Sequence, residues 1–121
     1  MPIKSFRDLD VYKESLQLSR IINDLTKTFP KNEKFLLADQ MKRASRSIPS
    51  LIAESWVKRK FIKVFRKYMR DSIGEANEMM NHLEQACLFG YISEKKSSKL
   101  IERYDNLAGK LFNLKDNWQN Y

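Results

Sequence analysis

The 121-residue sequence predicts an all-α fold, an antiparallel up-down-up-down four-helix bundle. Three observations predict it. Four segments repeat apolar residues at three-to-four spacing, the period of a helix with one buried face. The breaks between them are short, which sets consecutive helices side by side and antiparallel. Only three Gly and three Pro are present, too few turn formers for many short strands, and no segment sustains strand alternation. A chain of this length forms one domain, residues 1–121, and buries a core without disulfides.

The first helix is expected from about Asp8 to Lys27, with Leu9, Tyr12, Leu16, Ser19 and Ile21/Ile22 as its stripe. Ser5 and Asp8 form a loose capping pattern before it. Phe29-Pro30 breaks it, because Pro disfavours helix at the preceding residue. The second helix is expected to open at Asn32, an N-cap residue, with Glu33 in the first turn. Its apolar face reads Leu36, Leu37, Gln40, Met41, Ala44, Ile48, Leu51, Ile52. Pro49 lies inside that pattern and removes the donor for the Ser45 carbonyl. The stripe keeps phase across it, so a kink is expected, with a break into two helices as the competing reading. Ser45, Ser47 and Ser50 are candidates to satisfy the freed backbone.

The third segment runs from about Lys58 to Phe89 and holds its period from Phe61, Val64, Phe65 and Tyr68 through to Cys87. Gly90 fits the left-handed position after a helix end. Ser93 caps the fourth helix, which Leu100, Ile101, Tyr104, Leu107, Leu111, Phe112 and Leu114 carry toward Trp118. Gly74 and Gly109 are interior glycines, read as sites of close helix approach within the chain or between subunits. Leu18, Phe35, Leu37, Met80, Trp118 and Tyr121 fall off or at the edge of the stripes and are candidates for wide core faces or a subunit seam.

Charge is distributed unevenly. The net charge is +8, with 23 Lys and Arg against 15 Asp and Glu. Between Lys42 and Arg70 lie ten basic residues and one acid, Glu54, so the rest of the chain is close to neutral. Asp71, Glu75, Glu78 and Glu84 follow. Antiparallel packing brings the end of helix 2, the start of helix 3, Lys4, Arg7, Lys110 and Lys115 to one pole. That pole is expected to be strongly positive and the opposite one near neutral or acidic. Such a cluster favours a polyanion. Trp56, Phe61, Phe65 and Tyr68 interleave with the cations; the last three lie on the stripe and are read as core, while Trp56 is assigned to the bundle end or an interface.

Several chemistries are excluded. One Cys and one His do not make a standard zinc site, and Met79 stands where a Glu-x-x-His pair around His82 would need its Glu. Cys87 lies on the stripe and reads as a small buried hydrophobe. No phosphate loop, nucleophile elbow or HExxH motif is present. The longest stretch free of charge, Gln85 to Ser93, is too short to span a bilayer, and the first residues lack a signal-peptide core. A cytoplasmic protein without enzymatic activity, cofactor or metal is expected.

Phe6-Arg7-Asp8-Leu9, Phe29-Pro30, Gln40-Met41-Lys42-Arg43-Ala44, the run from Ser47 to Glu54, and Leu88-Phe89-Gly90-Tyr91-Ile92 occur in this order and spacing. In these the chain resembles the bacterial four-helix bundle proteins first noticed as open reading frames in intervening sequences of large-subunit ribosomal RNA genes. The resemblance implies an antiparallel four-helix bundle and homopentameric assembly. It also implies kinship with accessory proteins of diversity-generating retroelements, which use a positive surface to engage nucleic acid and a reverse transcriptase. Leu51 departs from the Asn usual in that family, and Ser55 from its Gly.

The resulting expectation is an oligomeric nucleic-acid-binding bundle. Its contact residues are Arg43, Arg46, Lys58, Arg59, Lys60, Lys63, Arg66, Lys67 and Arg70. The alternative is a scaffold whose basic pole docks an acidic partner protein.

Overall fold

A computed structural model describes residues 3–118. Four helices, α1 (Asp10–Thr26), α2 (Leu37–Val57), α3 (Ile62–Leu88) and α4 (Glu94–Asp116), account for most of them, and none of the described residues is in a strand. Packing runs α1 on α2, α2 on α3 and α3 on α4, and a looser α1–α4 seam closes the bundle. Two short 3-10 turns, Phe6–Asp8 and Lys31–Glu33, precede α1 and α2.

The capping pattern before α1 is real but belongs to the first 3-10 turn. The Ser5 hydroxyl accepts from the Arg7 N–H, and Asp8 Oδ2 accepts from the Lys4 and Ser5 N–H groups at 2.9 and 3.1 Å. Those backbone donors, the Lys4 bond foremost, hold the Asp8 carboxyl below its usual pKa. Leu9 and Ile22 of the expected stripe are buried, but between them the buried residues of α1 are Val11, Ser15 and Leu18, each one position before the expected Tyr12, Leu16 and Ser19; Leu25 continues the buried face. Leu18 is fully buried, whereas Leu16 is 48% exposed. Both rows have helical spacing; small Ser15 lets the first face the core.

The start of α2 also differs from expectation. Asn32 caps nothing; the chain makes a 3-10 turn and leaves helical backbone at Leu36 (φ −117°, ψ −111°) before α2 begins at Leu37. Buried Glu33 does the capping, accepting from the Leu37 N–H at 3.4 Å and the Tyr91 hydroxyl at 2.6 Å. Leu36, expected on the apolar face, is exposed, as is Phe35. Across Pro49, α2 is continuous, which excludes the two-helix reading. The Ser45, Ser47 and Ser50 hydroxyls donate to the carbonyls of Lys42, Arg43 and Arg46, so none of the three serves the Ser45 carbonyl. Ser55 is buried with its hydroxyl on the Ile52 carbonyl, and Leu51 is half-buried.

Helix α3 begins four residues later than expected, which frees Phe61 from the helical phase. It ends at Gly90, whose φ of +80° is the left-handed conformation that Gly adopts without a Cβ clash. Ser93 caps α4 by accepting the Lys96 N–H at 3.1 Å. Phe112, expected in the core, is exposed beneath the Lys115 ammonium. Cys87 is half-buried. No heavy atom lies within 4 Å of a Cβ placed on Gly74 or Gly109, so neither marks a close approach inside the chain. Of the seam candidates, Leu18 and Leu37 belong to the chain's own core, Phe35 is exposed, Met80 and Trp118 are half-buried, and Tyr121 lies outside the described residues.

Candidate nucleic-acid interface

Helix α2 ends at Val57 because Lys58 leaves helical backbone (φ −98°, ψ 1°), and the turn Lys58–Phe61 is held by the Phe61 N–H donating to the Lys58 carbonyl at 2.8 Å. Three consecutive cations, Lys58, Arg59 and Lys60, thus sit at a helix C-terminus, where the backbone dipole offsets part of their mutual repulsion. Arg59 is partly held: it donates to the Trp56 carbonyl at 2.6 Å and stacks 4.1 Å over the Trp56 ring. Trp56 meets Trp118 edge-on at 5.8 Å, and Trp118 meets Phe65 at 5.0 Å, which closes this end of the bundle.

The start of α3 adds to the positive field. Its first turn has no acid and Phe61 supplies no side-chain cap, while Lys63 projects into solvent. Arg66 reaches across to α4 and donates to the Lys115 carbonyl at 3.4 Å, at a helix C-terminus short of donors. Lys67 pairs with Asp71 at 2.9 Å, and that hydrogen bond raises its pKa above the usual lysine value. Among the described residues Lys58, Lys60, Lys63 and Arg70 have no carboxylate within ion-pair distance.

Segments 3–10, 54–67 and 110–118 make up this pole and hold ten Lys and Arg against four Asp and Glu, a net +6. The opposite pole, segments 24–34 and 84–99, holds six lysines against four acids, a net +2. It is weakly positive, not neutral or acidic as expected, because α4 opens with Lys95, Lys96 and Lys99 and the α1–α2 connection adds Lys27, Lys31 and Lys34.

The structure does not gather all nine expected contact residues. Arg46 donates to Asn23 Oδ1 at 3.0 Å, in the last turn of α1, and Arg43 pairs with Asp39. These two lie about 18 and 22 Å along the α2 axis from Lys58, toward the other pole. Lys58, Arg59, Lys60, Lys63, Arg66 and Lys67 are together, and Arg70 lies about one turn further along α3.

Phe61 and Val64, expected on the buried stripe, are both exposed. Phe61 is 66% exposed between Lys60 and Lys63, while Phe65 is fully buried and Tyr68 half-buried. An exposed ring among cations offers a stacking surface for an unpaired base. The sequence carried no signal for this, since the helical period reads from Lys58; only the later start at Ile62 takes Phe61 off the stripe. Val57 and Val64 flank it, also exposed.

No helix among the described residues is long and apolar enough to cross a membrane, and no cluster of three metal-ligating side chains occurs among them. The one His, His82, is buried, and neither ring nitrogen is hydrogen-bonded among the described residues; burial lowers its pKa against the opposing pull of Glu78, 3.8 Å away.

The bundle is similar to the crystal structure of a protein with unknown function from the S23 ribosomal protein family of Bacteroides thetaiotaomicron. The TM-score is 0.79 at 22% identity, over 88% of this chain and 95% of that one. At that identity the likeness establishes the fold alone. No curated protein matches the chain. Residues 7–113 match the family model of the 23S rRNA-intervening sequence protein, a span from the first 3-10 turn almost to the end of α4. Nearly the whole bundle is therefore shared, and the chain belongs to the 23S rRNA-intervening sequence protein family.

Proposed function

We propose that this chain is a non-enzymatic nucleic-acid-binding protein that works as an oligomer and holds phosphate backbones at the α2/α3 pole. The observation that carries the reading is the set of exposed lysines there, Lys58, Lys60 and Lys63, which have no carboxylate partner among the described residues. Like charges at such density repel, and a phosphate backbone relieves that repulsion. Lys4, Arg7, Lys110 and Lys115 widen the field, and Phe61 adds a ring for an unpaired base. Contacts of this kind position a strand without reading its sequence. The exposed apolar residues Phe35, Leu36, Leu88 and Phe89, grouped at the opposite pole, support self-association there.

Filter binding of single-stranded RNA over a salt series tests the reading. With four to six contacted phosphates, log affinity should fall with a slope of about −3 to −4 per log unit of salt. The K58E/K60E/K63E variant should bind every sequence more weakly and reduce the slope by about 2. A flat salt response, or an unchanged slope in the variant, overturns the proposal. Light scattering coupled to size exclusion decides the oligomeric part, for which a monomer at all concentrations is the contrary result.

A further inference from the structure

We propose that the groove between α1 and α4 docks an acidic amphipathic helix of a partner protein. The seam between these helices is the loosest in the bundle, and a groove of about 660 Å³ opens along it. Its floor is aliphatic, from Ile21 and Leu25 of α1 and Leu100 of α4. Its rim is cationic. Lys95, Lys99 and Arg103 recur every four residues along α4, one cation per turn over about 12 Å, with Lys96 beside them. Arg103 bonds to Glu14 at 2.8 Å and Gln17 at 3.0 Å, which closes the groove toward the α1 start. Lys95, Lys96 and Lys99 are exposed and have no ion-pair partner among the described residues. The acid lining the groove, Asp24, already pairs with Lys27.

An apolar floor beside a ladder of cations is complementary to a helix with leucine-type residues on one face and carboxylates every fourth position on its flank. Other occupants fit less well. Among the described residues no aromatic ring lines the groove, so none of them offers a nucleic-acid base a stacking surface. A single-headed lipid would neutralise one rung of the ladder and leave the rest. A second copy of this chain offers acids on α3, at Asp71, Glu75 and Glu78. The exposed large apolar residues of α3, Val64 and Leu88, lie at its two ends, about 10 and 15 Å along the axis from the nearest of those acids, so they do not accompany them into the groove, and Asp71 is already paired. The inference is independent of the α2/α3 pole.

The test is fluorescence anisotropy with a labelled synthetic helix of about five turns, carrying Leu on one face and Glu at every fourth flank position, titrated with the full chain. Saturable, salt-sensitive binding is expected. It should weaken about tenfold in K95E/K99E, less in K95Q/K99Q, and remain unchanged in K58E/K60E/K63E. Circular dichroism checks that each variant keeps its helices. The proposal is overturned by absence of saturation or by equal binding in K95E/K99E. It is also overturned if single-stranded RNA, oleate or anionic phosphatidylserine vesicles bind through these lysines while the peptide does not. Dissociation of an oligomer by K95E/K99E without peptide binding overturns it in favour of a second copy. Failure here leaves RNA binding at the pole intact, so the two proposals fail separately.

Discussion

Tyr104 on α4 is fully buried, and its hydroxyl has no hydrogen-bond partner among the described residues. Leaving a hydroxyl unpaired in a core costs about 1–3 kcal/mol. Tyr104→Phe keeps the ring and removes the orphan oxygen, so the variant should be more stable by about 1 kcal/mol at pH 7. The pH dependence gives a second, independent reading. Burial pushes the Tyr104 pKa up, with Glu14 adding to the rise and Arg103 opposing it. The folded pKa therefore lies above the unfolded value near 10. The stability from keeping this proton is fully present below pH 10 and is lost as pH rises above it, because the unfolded chain ionises first. The loss approaches about 1.4 kcal/mol per pH unit from this one group, and is about 1.4 kcal/mol at pH 11. Urea unfolding of both proteins at pH 7, 9, 10 and 11 measures the difference, since the other tyrosines and lysines are common to both. The advantage of the variant should be constant to about pH 9 and widen by about 1.4 kcal/mol at pH 11. A variant that is less stable at pH 7, or a difference that stays flat to pH 11, refutes the reasoning by showing that the hydroxyl is satisfied.

His82 gives the acid counterpart. Its folded pKa is lowered, so the unfolded chain takes up a proton near pH 6.5 that the folded chain refuses, and stability falls as pH drops below that value. His82→Gln should flatten the stability curve between pH 7 and 5; parallel curves would show that the imidazole is not excluded from protonation. Gly74→Ala and Gly109→Ala place a methyl in open space within helices, and each should add up to about 1 kcal/mol and raise the melting temperature by roughly 3–5 °C. A loss of stability accompanied by a smaller assembly would instead place these glycines at a subunit contact.

Much of the bundle was legible in the chain. The caps at Ser5 and Ser93 and the Gly90 stop are local chemistry, where one side chain or one φ angle settles the outcome. The long apolar periods of α3 and α4 are equally plain, because most positions on the stripe have no competing face. Helix α1 was not so clear: its two adjacent apolar rows differ by one residue, and only packing against α2 selects the one through Leu18. The opening of α2 was misread because Asn32 has the right chemistry for a cap, while the working cap is Glu33, fixed by Tyr91 from a connection 58 residues away.

The candidate site divides in the same way. The run Lys58-Arg59-Lys60 and its neighbours Lys63, Arg66 and Lys67 could be placed at one pole from the order of helices alone, since consecutive antiparallel helices must share an end. What linear order misjudged was reach. Arg43 and Arg46 are close in sequence to the cluster but lie part-way along α2, well short of its pole, because α2 stays continuous through Pro49 and rises about 1.5 Å per residue. Charge count and periodicity are properties of the chain, and they determined the fold class and the existence of a basic pole. Which apolar row faces inward, which lysines find a carboxylate, that Phe61 is bared, and that α1 and α4 part to leave a groove are properties of pairs of helices. Those features depend on contacts between residues far apart in the sequence, and the tertiary structure alone decided them.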